Sequence, residues 1–365
     1  VPRSPNLPDI GALRPGPNGA LQRILIVTDA WQPQVNGVVR TLRTVASELT
    51  AMGRVVEVIG PDRFRTLPCP TYPDIRLSIF PRRKLQGLIE SFAPDALHIS
   101  TEGPLGMAAR AWAIRNKCAF TTAFHTRFPE YVHARTRLPI GLCYAWLRRF
   151  HNAGTGMMVA TASLRQELAQ RGFKTILPWS RGVDLDQFRP VPREDWGLPG
   201  PIFAYIGRVA IEKNIGAFLS LDLPGSKVVV GDGPARAALE RRFPGVHFAG
   251  VRHGASLAAA FAGADVFVFP SLTDTFGLVM LESLACGTPV AAFPVTGPKD
   301  VLTAGVGVGA VDADLRQAAL LALETGDRAA CRVYAERFSW RACAEVFLEN
   351  LAPIRGAARV DAPAL

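Results

Sequence analysis

Residues 202–219 read IFAYIGRVAIEKNIGAFL. Ile202–Gly207 is a short, unbroken run of β-formers; Gly207-Arg208 ends it, and helical spacing follows Glu212, Lys213 and Asn214. A run that is apolar at every position, not at alternate ones, needs cover on both faces. A parallel sheet between two helix layers supplies that cover. The same alternation extends in both directions. Toward the N-terminus the runs are Ile24–Thr28, Val55–Ile59, Leu77–Phe80, Ala96–Ser100, Phe120–Phe124 and Met157–Thr161. Toward the C-terminus they are Lys227–Val230, Val246–Ala249, Val266–Pro270, Val290–Phe293 and Val306–Val311. Strand, helix, strand repeated this way predicts an α/β chain with two doubly wound parallel sheets.

Length agrees, because 365 residues exceed what one hydrophobic core fills. The reading places a loose, proline-rich leader at 1–20 and Rossmann-like domains at 21–185 and 186–337. The terminal segment 338–353 carries a helix with apolar positions at Ala342, Val346, Phe347 and Leu351. The seam falls near Val183–Pro192, in GVDLDQFRPVP. Two such sheets facing each other bring their carboxyl-end crevices to one cleft, the expected ligand site.

With 48% hydrophobic residues and 20% charged ones, the chain is not a disordered one. No uncharged apolar run reaches about 18 residues, so no spanning helix is expected. Six scattered cysteines, without metal-ligand spacing, point to neither a zinc site nor a disulfide framework, and a cytoplasmic setting follows. Charge is uneven: residues 1–183 hold 24 Lys/Arg against 11 Asp/Glu, whereas residues 184–365 hold 17 against 20. Between Gly103 and Gln166 nine Lys/Arg face one acid, Glu130. Such a half is either a surface for polyanions, among them an anionic membrane, or an ordinary solvated face.

Five segments carry chemistry. In VTDAWQPQVNGVVRTL, Asn36-Gly37 opens a helix near Val38, where free amides admit an anion or merely close a turn. Arg208 and Lys213, both at the carboxyl edge of a sheet, suit a diphosphate, Arg by its planar fork and Lys as a point charge. A surface salt bridge within that Arg/Glu/Lys group is the alternative. In FPSLTDTFGLVMLE a helix starts near Phe276-Gly277, with Asp274 just before it and Glu282 two turns in. Asp232 sits at the tip of VVVGDGP, and His125 follows an apolar strand in AFHTRFPEYV.

Together these segments resemble the retaining nucleotide-sugar glycosyltransferases of family 4, which have the two-domain GT-B architecture. The resemblance spans roughly Arg23 to Leu351. NGV at 36–38 looks like the family's glycine-rich phosphate loop, FHT at 124–126 its His-bearing loop, and GRVAIEKN at 207–214 its diphosphate clamp. GDGP at 231–234 and DTFGLVMLE at 274–282, an E-x7-E motif, follow in order. The first acid of that motif is Asp274 here, one methylene shorter than Glu. FSW at 338–340 precedes the helix that in the family returns to the first domain.

The resemblance implies hexosyl transfer from a nucleoside diphosphate sugar, UDP-hexose first and GDP-mannose as the alternative, with retention and without a metal or other cofactor. It implies catalytic roles for Arg208, Lys213, His125 and Asp274. Donor contacts fall to Gly37, Gly207, Asp232, Phe276, Gly277, Leu278 and Glu282, the last on the ribose. The motifs DLD (184–186) and DAD (312–314) imitate a metal site of another glycosyltransferase fold and are discounted. RILIVTDAWQPQVNGVVRTL, STEGPLG (100–106) and FHTRFPEYV most resemble glycolipid-forming members: diacylglycerol glycosyltransferases, sulfoquinovosyl diacylglycerol synthases and GDP-mannose-dependent α-mannosyltransferases. A lipid acceptor such as diacylglycerol is therefore expected, with a phosphatidylinositol mannoside or polysaccharide precursor as alternative.

Two segments suit a membrane surface: Arg82, Arg83 and Lys84 followed by Leu85, Leu88 and Ile89, and Leu138–Phe150 with Leu142, Tyr144, Trp146, Leu147, Arg148 and Arg149. Both also read as ordinary amphipathic core helices. A nucleotide-sugar epimerase is the rival from another class. Nucleic acid is not expected as a partner, since no stacking-aromatic motif or reader helix accompanies the basic half.

Overall fold

A computed structural model describes residues 21–354 except 33, 35, 70, 71 and 304; the expected leader at 1–20 lies outside the described residues. The first half contributes strands β1 (Arg23–Val27), β2 (Val55–Ile59), β3 (Thr66–Cys69), β4 (Tyr72–Ser78), β5 (Ala96–Ile99), β6 (Thr121–Phe124), β7 (Gly156–Val159) and β8 (Ile176–Pro178). The second contributes β9 (Ile202–Ile206), β10 (Ser226–Val230), β11 (His247–Gly250), β12 (Val266–Phe269), β13 (Val290–Ala292) and β14 (Gly309–Val311).

Two six-stranded sheets result, ordered β2-β1-β5-β6-β7-β8 and β11-β10-β9-β12-β13-β14. All their neighbours pair in parallel, for example Ile24 beside Val56 and Ala96, and Phe203 beside Lys227 and Val266. Helices cover both faces of the central strands, so Ile24–Val27 and Phe203–Ala204 are fully buried, and the polar side chains that β5 and β6 carry inside are tied up there, His98 with Thr121 at 3.0 Å. In each sheet the chain order reverses beside the first strand, between β1 and β5 and between β9 and β12. Those reversals open a crevice at the strands' carboxyl ends.

Three elements differ from the sequence reading. Leu77–Phe80 joins neither large sheet: Leu77 and Ser78 belong to β4, which pairs antiparallel with β3, and Phe80 is 94% exposed. A neighbouring strand within the same loop satisfies the backbone of that run, so its apolar character does not reach the main sheet. β8 is an edge strand of three residues ending in Pro178, too short to leave a pattern. The run at Val306 becomes strand only from Gly309, whose backbone lies against Val290; a Cβ there would stand 1.9 Å from the Val290 carbonyl oxygen.

The helix Trp340–Asn350 lies on the first domain. Trp340, Cys343, Phe347 and Leu351 share one core with Leu42, Val45, Leu49 and Trp179. The chain therefore crosses between domains twice, and the two crossings touch: the Val183 amide donates to the Phe338 carbonyl at 2.8 Å. Further contacts bind the halves across the cleft. The Arg127 guanidinium donates to Thr296 Oγ1 at 2.7 Å, and the Ser163 amide donates to an Asp300 carboxylate oxygen at 3.0 Å.

Candidate active site

The second-domain wall is built on backbone closeness. The loop after β10 rests on the loop after β9, so a Cβ on Gly231 would stand 1.9 Å from the Gly207 carbonyl oxygen. One on Gly233 would stand 2.3 Å from that of Val209. Both glycines also have positive φ, and only glycine meets both demands cheaply. This stacking opens a pocket lined by Gly207, Arg208, Gly231, Asp232, Val251, Arg252, Leu257, Val279 and Glu282. Arg208, expected to be catalytic, and Gly207, Asp232 and Glu282, expected to be donor contacts, therefore share one cavity. Val251, Leu257 and Val279 give the cavity apolar lining beside these polar groups.

Lys213 and Asp274 meet beside it. The ammonium of Lys213 donates to both carboxylate oxygens at 2.7 Å. Asn214 fixes this loop to the end of β12 by donating to the Pro270 carbonyl at 3.1 Å. Lys213 is thus neutralised by Asp274, whereas Arg208 has only a 3.8 Å approach to Glu212 and stays about half exposed (47%). Gly277, at φ +85°, starts the helix Leu278–Ala285 on a left-handed turn packed against Phe269 and Met280. Phe276 is buried, and Leu278 packs against both domain cores.

Glu282 faces the cavity from that helix and is 4% exposed. Burial pushes its carboxyl above the ordinary range, and the Arg40 guanidinium opposes the push. Arg40 belongs to the first domain, on the helix Gly37–Ala51 that Asn36 caps by accepting from the Val38 and Val39 amides at 3.0 Å. Its Nη1 donates to Glu282 Oε1 across the cleft. Gly37, one turn earlier, lies close to Leu278.

His125 sits on the opposite wall. Its Nε2 is 2.8 Å from Ser100 Oγ, and its Nδ1 is 3.2 Å from Arg181 Nη2. A guanidinium only donates, so Nδ1 accepts and the proton resides on Nε2, which donates to Ser100. Burial, then the charge of Arg181, holds the ring well below the usual histidine range. His125 is therefore a neutral imidazole with both nitrogens engaged inside its own domain. Its carbonyl reaches across the gap and accepts from Thr275 Oγ1 at 2.8 Å.

Next to it Asp29, buried after β1, accepts from the Leu105 and Gly106 amides at 2.8 and 3.2 Å and from Thr101 Oγ1 at 2.9 Å. Burial nonetheless pushes its carboxyl up to about 6. The start of the helix Pro104–Arg115 is thereby filled by this chain's own carboxylate.

The aspartates of DLD and DAD serve local turns: Asp184 accepts from the Asp186 and Gln187 amides, and Asp312 from that of Asp314. On the helix Arg82–Phe92 the side chains of Leu85, Ile89 and Phe92 are core, so the expected apolar stripe is unavailable to a surface; Arg82, Arg83 and Lys84 are exposed, and Lys84 donates to the Arg63 carbonyl and lies over the Phe64 ring at 5.3 Å. The helix Ile140–His151 divides differently. Tyr144 and Leu147 are buried, Leu142 and Trp146 are exposed, and Arg148 donates to the Arg171 carbonyl at 2.9 Å. Arg149 and Trp146 line a surface pocket with Met107, Arg110 and Phe150. The sequence reading singled out none of Arg40, Ser100, Arg181 and Thr275, although Arg40, Ser100 and Thr275 lie inside stretches it quotes; each owes its place to a partner on another segment.

Two Rossmann-like domains with strand-end loops converging on one cleft define a GT-B glycosyltransferase. Residues 35–187 match Glycosyltransferase Family 4, and residues 200–325 match Glycosyl transferases group 1. The chain is 30% identical over 308 residues to a GDP-mannose-dependent alpha-mannosyltransferase of Mycobacterium tuberculosis, covering 77% of this chain and 81% of that protein. It is also 30% identical over 262 residues to a sulfoquinovosyl transferase of Arabidopsis thaliana, covering 65% of this chain and 50% of that one. The chain belongs to glycosyltransferase family 4. Sucrose-phosphate synthase from Thermosynechococcus elongatus shares the fold, with a TM-score of 0.66 at 21% identity over 89% of this chain and 97% of that one. Anabaena HepE in complex with UDP and glucose does so with a TM-score of 0.64 at 15% identity, over 90% and 98%.

Proposed function

We propose that this enzyme transfers a hexosyl group, with retention, from a nucleoside diphosphate sugar to a membrane glycerolipid. The observation that carries the reading is the pocket that Arg208 and Glu282 share with the apolar side chains of Val251, Leu257 and Val279, beside the Lys213–Asp274 pair. The diphosphate lies against Arg208 and Lys213, the ribose hydroxyls donate to Glu282, and the base packs on Val251 and Leu257. Asp274 accepts from sugar hydroxyls while sharing Lys213. As the bond from the anomeric carbon to the diphosphate oxygen breaks, the acceptor hydroxyl oxygen bonds to the same face of that carbon. Its proton passes to the departing phosphate oxygen, so no protein base is needed. Arg208 and Lys213 stabilise the charge that gathers on the leaving group. The neutral, doubly bonded imidazole of His125 takes no proton in this scheme and serves as a fixed wall of the sugar site.

Support for the lipid acceptor comes from the relatives, which include an alpha-monoglucosyldiacylglycerol synthase of Streptococcus pneumoniae, 27% identical over 315 residues, covering 74% of this chain and 70% of that one. It comes also from one face of the first domain. There Met107 and Ile114 on one helix, and Leu142 and Trp146 on its neighbour, are exposed beside Arg110 and Arg149. Among the described residues neither arginine has an acidic partner, and no helix is long and apolar enough to cross a membrane. A basic, apolar face of this kind suits an anionic lipid surface.

GDP-mannose-dependent relatives at about 30% identity favour a second donor, GDP-mannose. Incubating the protein with vesicles containing diacylglycerol and either UDP-glucose or GDP-mannose, followed by mass spectrometry of the lipids, decides both points. A hexosyl-diacylglycerol product is expected. Transfer solely to soluble acceptors would overturn the lipid reading.

A further inference from the structure

Glu282 is an acid that its surroundings discourage from ionising. It is buried, Asp184 adds like charge, and the Cys286 thiol lies close; Arg208, on the same domain, shares its pocket. Arg40 is the group that favours its charged form. That guanidinium comes from the first domain and lies over the Phe188 ring at 5.5 Å, so it enters the second domain between an aromatic face and the carboxylate. Nη1 engages Oε1, and among the described residues Oε2 has no hydrogen-bond partner. A carboxylate with one oxygen held and the other free is arranged to accept from a ligand's hydroxyls.

We propose that Arg40 is a positioning residue of the donor site: from the first domain it holds one carboxylate oxygen of Glu282 and leaves the other aimed into the nucleotide pocket of the second. Donor binding then depends on the two walls being together, since opening the cleft withdraws the counter-ion from the ribose acceptor. The inference rests on the reading that Glu282 takes the ribose hydroxyls.

Its sign follows from proton linkage. A neutral carboxyl is a poorer acceptor than a carboxylate, so nucleotide affinity falls as pH drops through the Glu282 titration. Removing Arg40 moves that titration upward and brings the loss to higher pH.

Calorimetry with UDP and with GDP, from pH 5.5 to 8.5, tests this on wild type, R40M, R40K, E282Q and the double variant R40M/E282Q. R40M is expected to bind the preferred nucleotide roughly tenfold more weakly at pH 6, the scale of one charge-assisted hydrogen bond, with the gap closing toward pH 8.5. R40K restores most of the affinity. In the E282Q background R40M adds little. Equal weakening by R40M with and without Glu282 overturns this inference alone. E282Q binding both nucleotides as wild type does removes the ribose reading, and the inference with it.

Discussion

Arg181, near the end of the first domain, donates to Nδ1 of His125 at 3.2 Å. The guanidinium is buried, spends Nη1 on the carbonyls of Trp179 and Ser180, and lies over the Trp179 ring at 4.5 Å. Burial pulls it down to about 10, still charged at neutral pH. A fixed cation donating to one ring nitrogen both selects the tautomer and penalises the imidazolium. The imidazole of the residue that meets Thr275 across the cleft is thereby kept uncharged.

Replacing Arg181 with Met should let His125 take up a proton at higher pH than in wild type, because the cation that opposes protonation is gone. Long-range 15N–1H correlation spectra would show wild-type His125 solely as the Nε2–H form at pH 7. R181K should preserve that form. A wild-type ring that is already an imidazolium at pH 7, or protonated on Nδ1, would remove this account of the wall.

Arg208→Ala and Lys213→Ala should each lower kcat by on the order of 10²-fold, the scale for losing one donor to a developing oxyanion. Lys213→Ala also strips Asp274 of its partner at 2.7 Å, so D274N added to it should recover none of the lost rate. Steady-state product formation at saturating donor is the measurement. Wild-type turnover in both single variants would refute the leaving-group role.

Asp29 makes stability depend on pH in a direction opposite to most carboxylates. Its folded value near 6 lies above the unfolded 3.8, so between those values the folded state holds the extra proton. That contribution is present below about 4 and is lost as pH rises through 6, on the order of 3 kcal/mol in all. Denaturant unfolding of wild type and Asp29→Asn from pH 4 to 7.5 isolates it. The difference between them should shrink by that amount as pH rises; a constant difference would show that Asp29 does not titrate there.

The sheets were legible because strands covered on both faces are mostly continuous apolar runs, as Ile24–Val27 and Val266–Phe269 are. Gly207, Arg208, Asp232 and Glu282 were legible because strand-end loops and a helix start fix them locally. Arg40 and Arg181 were not, since their partners lie 242 and 56 residues away and nothing local marks them. The helix Arg82–Phe92 shows the complementary limit. Its amphipathic spacing is plain, but spacing does not say whether the apolar side meets a core or a membrane, and packing of Leu85, Ile89 and Phe92 settles it for the core.

That same ambiguity sets the membrane test. Arg110 and Arg149 crowd one another, each lowering the cost of an incoming anion, while Arg110 is held in place by the Phe150 and Arg149 carbonyls at 3.1 and 2.9 Å. Each basic side chain near an anionic bilayer contributes about 1 kcal/mol, so R110Q/R149Q should weaken binding to phosphatidylglycerol vesicles by roughly 30-fold. W146S/L142S should weaken it as well, through lost apolar insertion, with less dependence on salt. The variant R82Q/R83Q/K84Q is the control. It removes more charge but no apolar anchor, and should cost less than W146S/L142S at high salt, where screening leaves the apolar contact dominant. Flotation across a salt series measures all three. If the control abolishes binding while the other two leave it intact, the membrane meets the Arg82–Lys84 edge instead of the Met107–Trp146 face.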